Sequence, residues 1–287
     1  MINRFGIKIS SSAALLLTIL ALHYSSGFYP SKILCTLPSS YSTPSYSLPA
    51  LSEPYTYLSH GRQSFVFESA DGQSVIKLFN QAYFQKKWYH IFFLSSHLRQ
   101  KLDKKLALRQ TFYQESYPLA AKEFPEDTGI LYLHLDASTS LPSIHLIDPS
   151  GRPLTLDLNQ CAFVIQKKAV PYLPHLQKVA TQEGLPGLIR EIDQWLAFCS
   201  KRIEQNVIDY DHDIWNNVGV LDGKILFIDP GKFQRSPSPL DQDALQLEWW
   251  KATHRLYKWL LTNNPEAARY LVSKTHTLCV LDTNTTK

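Results

Sequence analysis

The fold is decided by residues 209–217, which read DYDHDIWNN, and by the tripeptide DPG that follows at 229–231. Between them lie two short apolar runs, VGVL at 218–221 and ILFI at 225–228, which flank Asp222-Gly223. An Asp-Gly pair between two apolar runs is a strong β-hairpin signal. Because a tight hairpin returns the chain to its starting point, the sequence predicts that Asp229 lies beside Asn216.

These side chains suit magnesium binding and proton transfer. Asp211 and Asn216 have four residues between them, and the hairpin brings in Asp229. A carboxylate and an amide that converge can hold Mg²⁺ through oxygen ligands, with phosphate oxygens completing the coordination. Asp211 would then face a substrate hydroxyl and accept its proton. Each pattern alone is common by chance, and the alternative is an unrelated α+β domain with solvated loop carboxylates.

The chain before this region reads as a sheet with one helical stretch. Apolar runs at 64–68 and 74–79 flank Asp71-Gly72 and predict a hairpin. A mostly helical stretch follows from 81 to 124, with an interruption expected at Pro118. Further strands are predicted at 130–135, 144–147, 154–158 and 162–166, and those at 144–147 and 154–158 are predicted to form a second hairpin across Pro149-Ser150-Gly151.

The second half of the chain is predicted to be helical. Apolar residues recur at helical spacing in two segments, 188–203 and 245–260, so each segment has one buried face. The expected fold class is therefore α+β, with an N-terminal antiparallel sheet plus helix and a C-terminal helical part.

With these strands, helices and motifs in this order along the chain, residues 55 to about 260 resemble the protein-kinase-like superfamily. They look closer to its divergent branches, such as lipopolysaccharide-core sugar kinases and aminoglycoside phosphotransferases, than to eukaryotic-type protein kinases. The resemblance implies a bilobal kinase-like domain over 55–287, with an N-lobe of about 55–170 and a C-lobe of about 171–287. It also implies ATP and Mg²⁺ as cofactors and transfer of the γ-phosphate to a hydroxyl.

The resemblance assigns roles to individual residues. Asp211 matches the catalytic base, while Asn216 and Asp229 match the metal ligands. Lys77, which ends the VIK run, matches the strand lysine that grips the phosphates. The other matches are Gly61 and Ser64 in the phosphate-covering loop, Glu115 as the glutamate that orients the lysine (with Glu123 as a rival), and 163–166 as the strand leading to the adenine-binding hinge.

Several departures leave the activity open. Only Gly61 remains of the usual three loop glycines, and Asp213 stands where these families keep a Lys or His that contacts the transferred phosphate. A carboxylate there repels phosphate unless it binds metal or is protonated. Two further hypotheses therefore stand beside the enzyme: a pseudokinase that serves as a nucleotide-binding or scaffold module, and a structural protein of another fold.

The N-terminus predicts a membrane connection. Arg4 and Lys8 precede an apolar run at 13–22, so residues 1–24 read as a signal peptide or a membrane anchor. Residues 25–54 are rich in Ser and Pro and are expected to be a linker. The positive-inside bias would carry the domain across the membrane, whereas ATP chemistry favours the cytoplasmic side. The side of the membrane stays open, with a cytoplasm-facing domain preferred.

Net charge and cysteine spacing limit the kinds of partner and metal that the chain is expected to bind. A net charge of +4 is too small to indicate nucleic acid as the main partner. The four cysteines are scattered, without a C-x-x-C pair, which argues against zinc. The expected partners are a nucleotide, an unknown hydroxyl-bearing substrate and a membrane reached through the N-terminal segment.

Overall fold

A seven-stranded mixed sheet forms the N-terminal part of the protein. It is seen in a computed structural model that describes residues 28, 30–33, 47–86 and 94–281. Its strands are β1 Tyr55–His60, β2 Ser64–Glu68, β3 Ser74–Phe79, β4 Ile130–His134, β5 Ser143–Ile147, β6 Pro153–Asp157 and β7 Phe163–Lys167. They lie in the order β4-β7-β3-β2-β1-β5-β6.

The two hairpins predicted in this part are confirmed. β2 pairs antiparallel with β3, and β5 pairs antiparallel with β6. The expected antiparallel sheet needs one correction, because β1 and β5 run parallel. A turn motif determines the pairing of the strands beside it, but the edge to which a later hairpin adds depends on the packing of the whole sheet.

The C-terminal part is helical, with short strands that shape its loops. Five short strands are β8 Val170–Pro171, β9 Val207–Asp209, β10 Val218–Leu221, β11 Lys224–Phe227 and β12 Phe233–Arg235. The helices of the whole described chain are α1 Gln81–Phe84, α2 Ser96–Glu123, α3 Pro125–Thr128, α4 Tyr172–Gln182, α5 Gly184–Glu204, α6 Ile214–Asn217, α7 Gln242–Asn263 and α8 Pro265–Leu281. The predicted apolar face of α5 is buried, and β10 and β11 form the predicted hairpin.

Helix α2 continues through Pro118, where an interruption was expected. Proline removes one backbone donor from a helix interior and costs about 3 kcal/mol there. The surrounding turn is buried and compensates by packing: the Tyr117 ring lies 5.3 Å from that of Phe79, and Ser116 Oγ donates to the Phe233 carbonyl oxygen at 2.7 Å. Tertiary contacts therefore hold the helix together across the proline.

The core has two parts, one on each face of the sheet. On one face, strand residues such as Phe65, Phe67 and Ile76 form a buried cluster. On the other face, α2 and the sheet share a cluster with the C-terminal helices, and Trp249 of α7 is fully buried in it. This second cluster joins the sheet to the helical part along one side, and a cleft lies between the same two parts.

Part of residues 25–54, expected to be a linker, packs against the sheet instead. Phe28 is only 4% exposed, and its ring meets Phe65 and Phe67 edge-on with centroids 5.2 Å and 5.0 Å away. Ile33 is also buried in this cluster. The Ser- and Pro-rich composition hid these apolar side chains, which cover a sheet face that would otherwise meet water.

The segment 1–24, predicted to be a signal peptide or anchor, lies outside the described residues. Within the described ranges, no helix has the length and apolar character needed to cross a membrane.

Substitution of Phe28 tests whether this residue belongs to the folded domain. We expect Phe28→Ala to lower the free energy of unfolding by about 3 kcal/mol, because it removes a buried aromatic ring. For a domain of this size the melting temperature should fall by roughly 6–12 °C, measured by circular dichroism. Leu108→Ala, at a side chain that is 54% exposed, is the control and should change little. Equal melting temperatures for both variants would contradict the packing of Phe28.

Candidate functional site

A cleft of about 750 Å³ lies between the sheet and the helical part. It is lined by six of the seven candidate residues: Gly61, Ser64 and Lys77 from the sheet side, and Asp211, Asn216 and Asp229 from the helical side. All of the residues expected at the nucleotide and metal site except Glu115 therefore share one concave site.

Lys77 lies on β3 with its side chain turned to the cleft. The alternation of the strand sends Ile76 and Leu78 into the core of the opposite face. The Lys77 ammonium donates a hydrogen bond to the backbone carbonyl oxygen of Ile228. Burial lowers the pKa of Lys77, and the nearby negative charge of Asp229 opposes this shift. Lys77 is thus a buried cation that reaches across the cleft to the loop of Asp229.

Asp229 is held by three hydrogen bonds at the end of the β10–β11 hairpin. Its Oδ1 accepts from Tyr117 Oη at 3.1 Å and from the Gly231 backbone at 3.2 Å, and its own backbone N–H donates to the Asn217 carbonyl oxygen at 3.2 Å. Burial, reinforced by the charge of Asp229, raises the pKa of Tyr117 well above its ordinary value. Tyr117 therefore stays protonated and donates. Asp229 was predicted to lie beside Asn216, and its backbone N–H contacts the carbonyl oxygen of the next residue, Asn217.

Asn216 and Asp213 form a small network with a cation. Asn216 Nδ2 donates to Asp213 Oδ2 at 2.8 Å, and Arg255 Nη1 lies 2.8 Å from Asp213 Oδ1. Since the amide nitrogen of Asn216 is engaged, its carbonyl Oδ1 is left for another ligand. Asp213 was expected to repel phosphate unless it bound metal or a proton; the structure shows that its charge is paired with Arg255.

The donor set fits Mg²⁺ together with phosphate. Asn216 and Asp229 offer an amide and a carboxylate oxygen to the same cleft. In the described chain no three His, Cys, Asp or Glu side chains gather as a metal site. A bound Mg²⁺ would accordingly draw its remaining ligands from phosphate oxygens and water, as this ion commonly does.

Asp211 is fixed through its backbone as well as its carboxylate. Its N–H donates to Asp209 Oδ1 at 2.8 Å, and its carbonyl oxygen accepts from Asn217 Nδ2 at 3.1 Å. Its Oδ2 lies 2.7 Å from the ammonium of Lys232. A side chain held in this way at the cleft wall can receive a proton from a hydroxyl placed there.

The carboxylate of Asp209 supports the loop that carries Asp211 from the protein interior. Its side chain is buried, and burial raises its pKa to about 7, while the charge of Arg202 acts in the opposite direction. Arg202 itself lies between the Val207 carbonyl oxygen and Glu248. The loop that carries Asp211 therefore rests on a buried carboxylate that titrates near neutral pH.

This titration gives a pH dependence of stability with a defined sign. Between about pH 4 and pH 7 the folded state binds more protons at Asp209 than the unfolded state, so the free energy of unfolding falls as pH rises. The three-unit difference sets an upper limit of about 4 kcal/mol. In urea unfolding across this range, Asp209→Asn should lack this downward contribution to the pH dependence that the wild-type protein has, since the amide does not titrate. Identical slopes for the two proteins would contradict the buried carboxylate.

Glu115 is not brought to Lys77, which corrects the expected lysine–glutamate pair. Its Oε2 accepts from Gln234 Nε2 on β12 at 3.0 Å, and it does not line the cleft. Its rival Glu123 pairs with Arg235, at 3.2 Å. Residues 113 and 117 are one helical turn apart and face the sheet, whereas 115 lies about 200° around the helix from 113. The residue that α2 presents to the site is Tyr117.

The loop between β1 and β2 is tight and approaches the loop of Asp229. Gly61 N–H donates to the Ser64 carbonyl oxygen at 3.0 Å. A Cβ built on Gly231 would lie 2.9 Å from both Gln63 Oε1 and Asp229 Oδ1, so a larger residue at 231 would displace these side-chain ends. At Gly61 a Cβ would meet nothing within 4 Å, so no close contact requires glycine there.

Three residues at the site were not predicted from the sequence: Lys232, Arg255 and Tyr117. Lys232 could have been placed near the site from the sequence, because it directly follows the DPG tripeptide. Arg255 and Tyr117 lie on helices far from the motif in sequence, and nothing in their own neighbourhoods pointed to the cleft.

Comparisons with known proteins found matches among solved structures. No protein-family model and no curated protein matches the chain. A crystal structure of WbdD matches with 15% identity over 78% of this chain and 46% of that one, at a TM-score of 0.39. A co-crystal structure of WbdD with the kinase inhibitor LY294002 matches with 14% identity over 77% and 45%, at a TM-score of 0.34. This chain spans less than half of the length of these matched chains.

Proposed function

We propose that this protein is a kinase-like phosphotransferase that moves the γ-phosphoryl group of ATP to a hydroxyl. The observation that carries the proposal is the shared cleft: a buried lysine from the sheet faces an aspartate, an asparagine and a second aspartate from the helical part. A buried cation next to oxygen ligands for a metal is suited to a triphosphate.

The side chains divide the reaction between them. Lys77 binds phosphate oxygens, and Asn216 and Asp229 hold the site for Mg²⁺, which supplies charge neutralisation when bound. The substrate hydroxyl lies against Asp211, and its oxygen attacks the γ-phosphorus as its proton passes to that carboxylate. The bond from the γ-phosphorus to the β,γ-bridging oxygen breaks, and ADP leaves with the electron pair.

A second function, a pseudokinase that binds nucleotide without turnover, is favoured by two observations. The Lys77 ammonium is occupied by the Ile228 carbonyl oxygen, and Asp213 adds a carboxylate to the cleft wall. In this alternative the same cleft would serve as a nucleotide-binding or scaffold module. The proposal includes a sugar or a lipid-linked molecule as the acceptor, and a membrane location through residues 1–24.

Nucleotide binding tests the common part of both functions. A ligand present at a hundredfold excess over its dissociation constant stabilises the folded state by about 2.7 kcal/mol. For this chain the melting temperature should rise by roughly 5–10 °C with ATP and Mg²⁺, and by less with ATP alone. ADP formation in the same samples separates the enzyme from the pseudokinase. A melting temperature unchanged by nucleotide would defeat both.

A further inference from the structure

The helical side of the proposed nucleotide site carries negative charge close to where the phosphates would bind. Three carboxylates, those of Asp211, Asp213 and Asp229, line the cleft. A triphosphate is itself strongly negative, and like charges repel in a partly buried site. Lys77 lies near Asp229, and two other cations contact Asp211 and Asp213.

Lys232 is placed beside Asp211 by the backbone. β9 and β12 pair with Phe233 opposite Asp209, and the next hydrogen bond runs from Tyr210 N–H to the Lys232 carbonyl oxygen at 3.1 Å. This ladder brings the ammonium to 2.7 Å from Asp211 Oδ2. Both side chains are less than a third exposed, so water screens the pair only in part.

We propose that Lys232 is a positioning residue for the phosphoryl transfer, acting through Asp211. The inference deepens the proposed function and rests on it. By holding Oδ2, Lys232 turns Oδ1 of the carboxylate to the substrate hydroxyl, whose proton it receives as the new phosphorus–oxygen bond forms. Among the described residues, this contact joins the Asp211 carboxylate to a cation.

Arg255 completes the arrangement at the neighbouring carboxylate. It engages Asp213 Oδ1, while Asp213 Oδ2 accepts from Asn216. Arg255 therefore holds the charge of Asp213 away from the phosphates and also steadies the amide of Asn216. The two cations have separable effects: Lys232 acts on the reacting hydroxyl, and Arg255 acts on bound nucleotide.

The test uses the full chain and follows ADP formation from Mg²⁺-ATP with water as the acceptor. We expect Lys232→Met to lower kcat by about 10- to 100-fold, because a misplaced catalytic group costs about that much. KM for ATP should stay within about twofold, since the ammonium does not contact nucleotide in this role. Lys232→Arg should recover most of the rate by restoring the cation. Lys224→Met, at the exposed tip of the β10–β11 hairpin, is the matched control.

Arg255→Ala should show the opposite pattern, with KM for ATP raised about tenfold and kcat less affected. Adding Asp213→Asn to Arg255→Ala should restore much of the ATP affinity, because the uncompensated charge is gone. If Lys232→Met unfolds, Lys232→Gln, which retains a hydrogen-bond donor without charge, takes its place.

Three results would overturn the inference. The first is an unchanged kcat in the folded Lys232 variants. The second is a loss of kcat in Lys224→Met as large as that in Lys232→Met. The third is a kcat of Lys232→Arg no higher than that of Lys232→Met. A wild-type protein that binds Mg²⁺-ATP yet forms no ADP, either with water or with sugar and lipid-linked hydroxyl acceptors, would instead refute the proposed enzyme, and this inference with it.

Discussion

Asp211→Asn should lower turnover by about 10²- to 10⁴-fold, the usual contribution of a positioned general base. The amide keeps the size and the oxygen of the carboxylate but cannot accept the hydroxyl proton. The backbone N–H bond to Asp209 and the carbonyl bond from Asn217 do not involve the altered group, so the loop should keep its shape. ADP formation under saturating Mg²⁺-ATP is the measurement.

A measurement of nucleotide binding distinguishes a variant that has lost only the catalytic base from a variant that has lost the binding site. The Asp211→Asn variant should keep the thermal shift that ATP and Mg²⁺ produce in the wild-type protein, because Asp211 acts on the hydroxyl. Asp243→Asn, at an exposed position in the first turn of α7, is the control and should match the wild type. An Asp211→Asn variant with wild-type turnover would remove Asp211 from the mechanism.

Asp229→Asn should remove most of the metal-dependent part of nucleotide binding. The substitution preserves an oxygen that can accept from Tyr117 and Gly231, but it takes away the charge that attracts Mg²⁺. We expect the additional melting shift that Mg²⁺ gives over ATP alone to fall to near zero. Manganese binding, followed by electron paramagnetic resonance in the presence of ATP, should weaken by at least about tenfold.

Asp229→Ala should show the same loss of metal together with a lower stability than Asp229→Asn. Both variants leave the buried ammonium of Lys77 without its nearby negative charge, but only Asp229→Ala also deletes the acceptor of Tyr117 Oη. A buried charge that loses its partner costs several kcal/mol. Glu266→Gln, on the exposed first turn of α8, serves as the control. Full magnesium dependence in both Asp229 variants would contradict its role as a ligand.

Much of the fold could be predicted from the sequence because its signals are local. The Asp71-Gly72 and Asp222-Gly223 turns are confirmed as hairpins in the structure. The apolar face of α5 was readable from helical spacing alone, since burial follows periodicity within one element. The prediction that Asp229 returns to Asn216 rests on the same logic, as the hairpin is short enough to leave little freedom, and the structure brings the Asp229 backbone to the adjacent Asn217.

Contacts between distant elements could not be predicted in this way. The parallel pairing of β1 with β5 joins strands separated by about eighty residues, and no turn motif announces it. Phe28 was hidden in a Ser- and Pro-rich stretch, yet it fills a groove on the sheet that exists only once the strands have assembled. The continuation of α2 through Pro118 likewise depends on packing that outweighs a local cost.

The candidate site also combines features that the sequence predicts with features that only the tertiary structure sets. The sequence by itself determined which side chains could bind phosphate and metal, because the Asp, Asn and Lys residues come with the turns and strands that carry them. The tertiary structure decided that Glu115 faces β12, that Tyr117 meets Asp229, and that Lys232 and Arg255 pair with Asp211 and Asp213. The physical reason is that a helix rotation or a strand register selects each partner, and both are set by how separate elements pack.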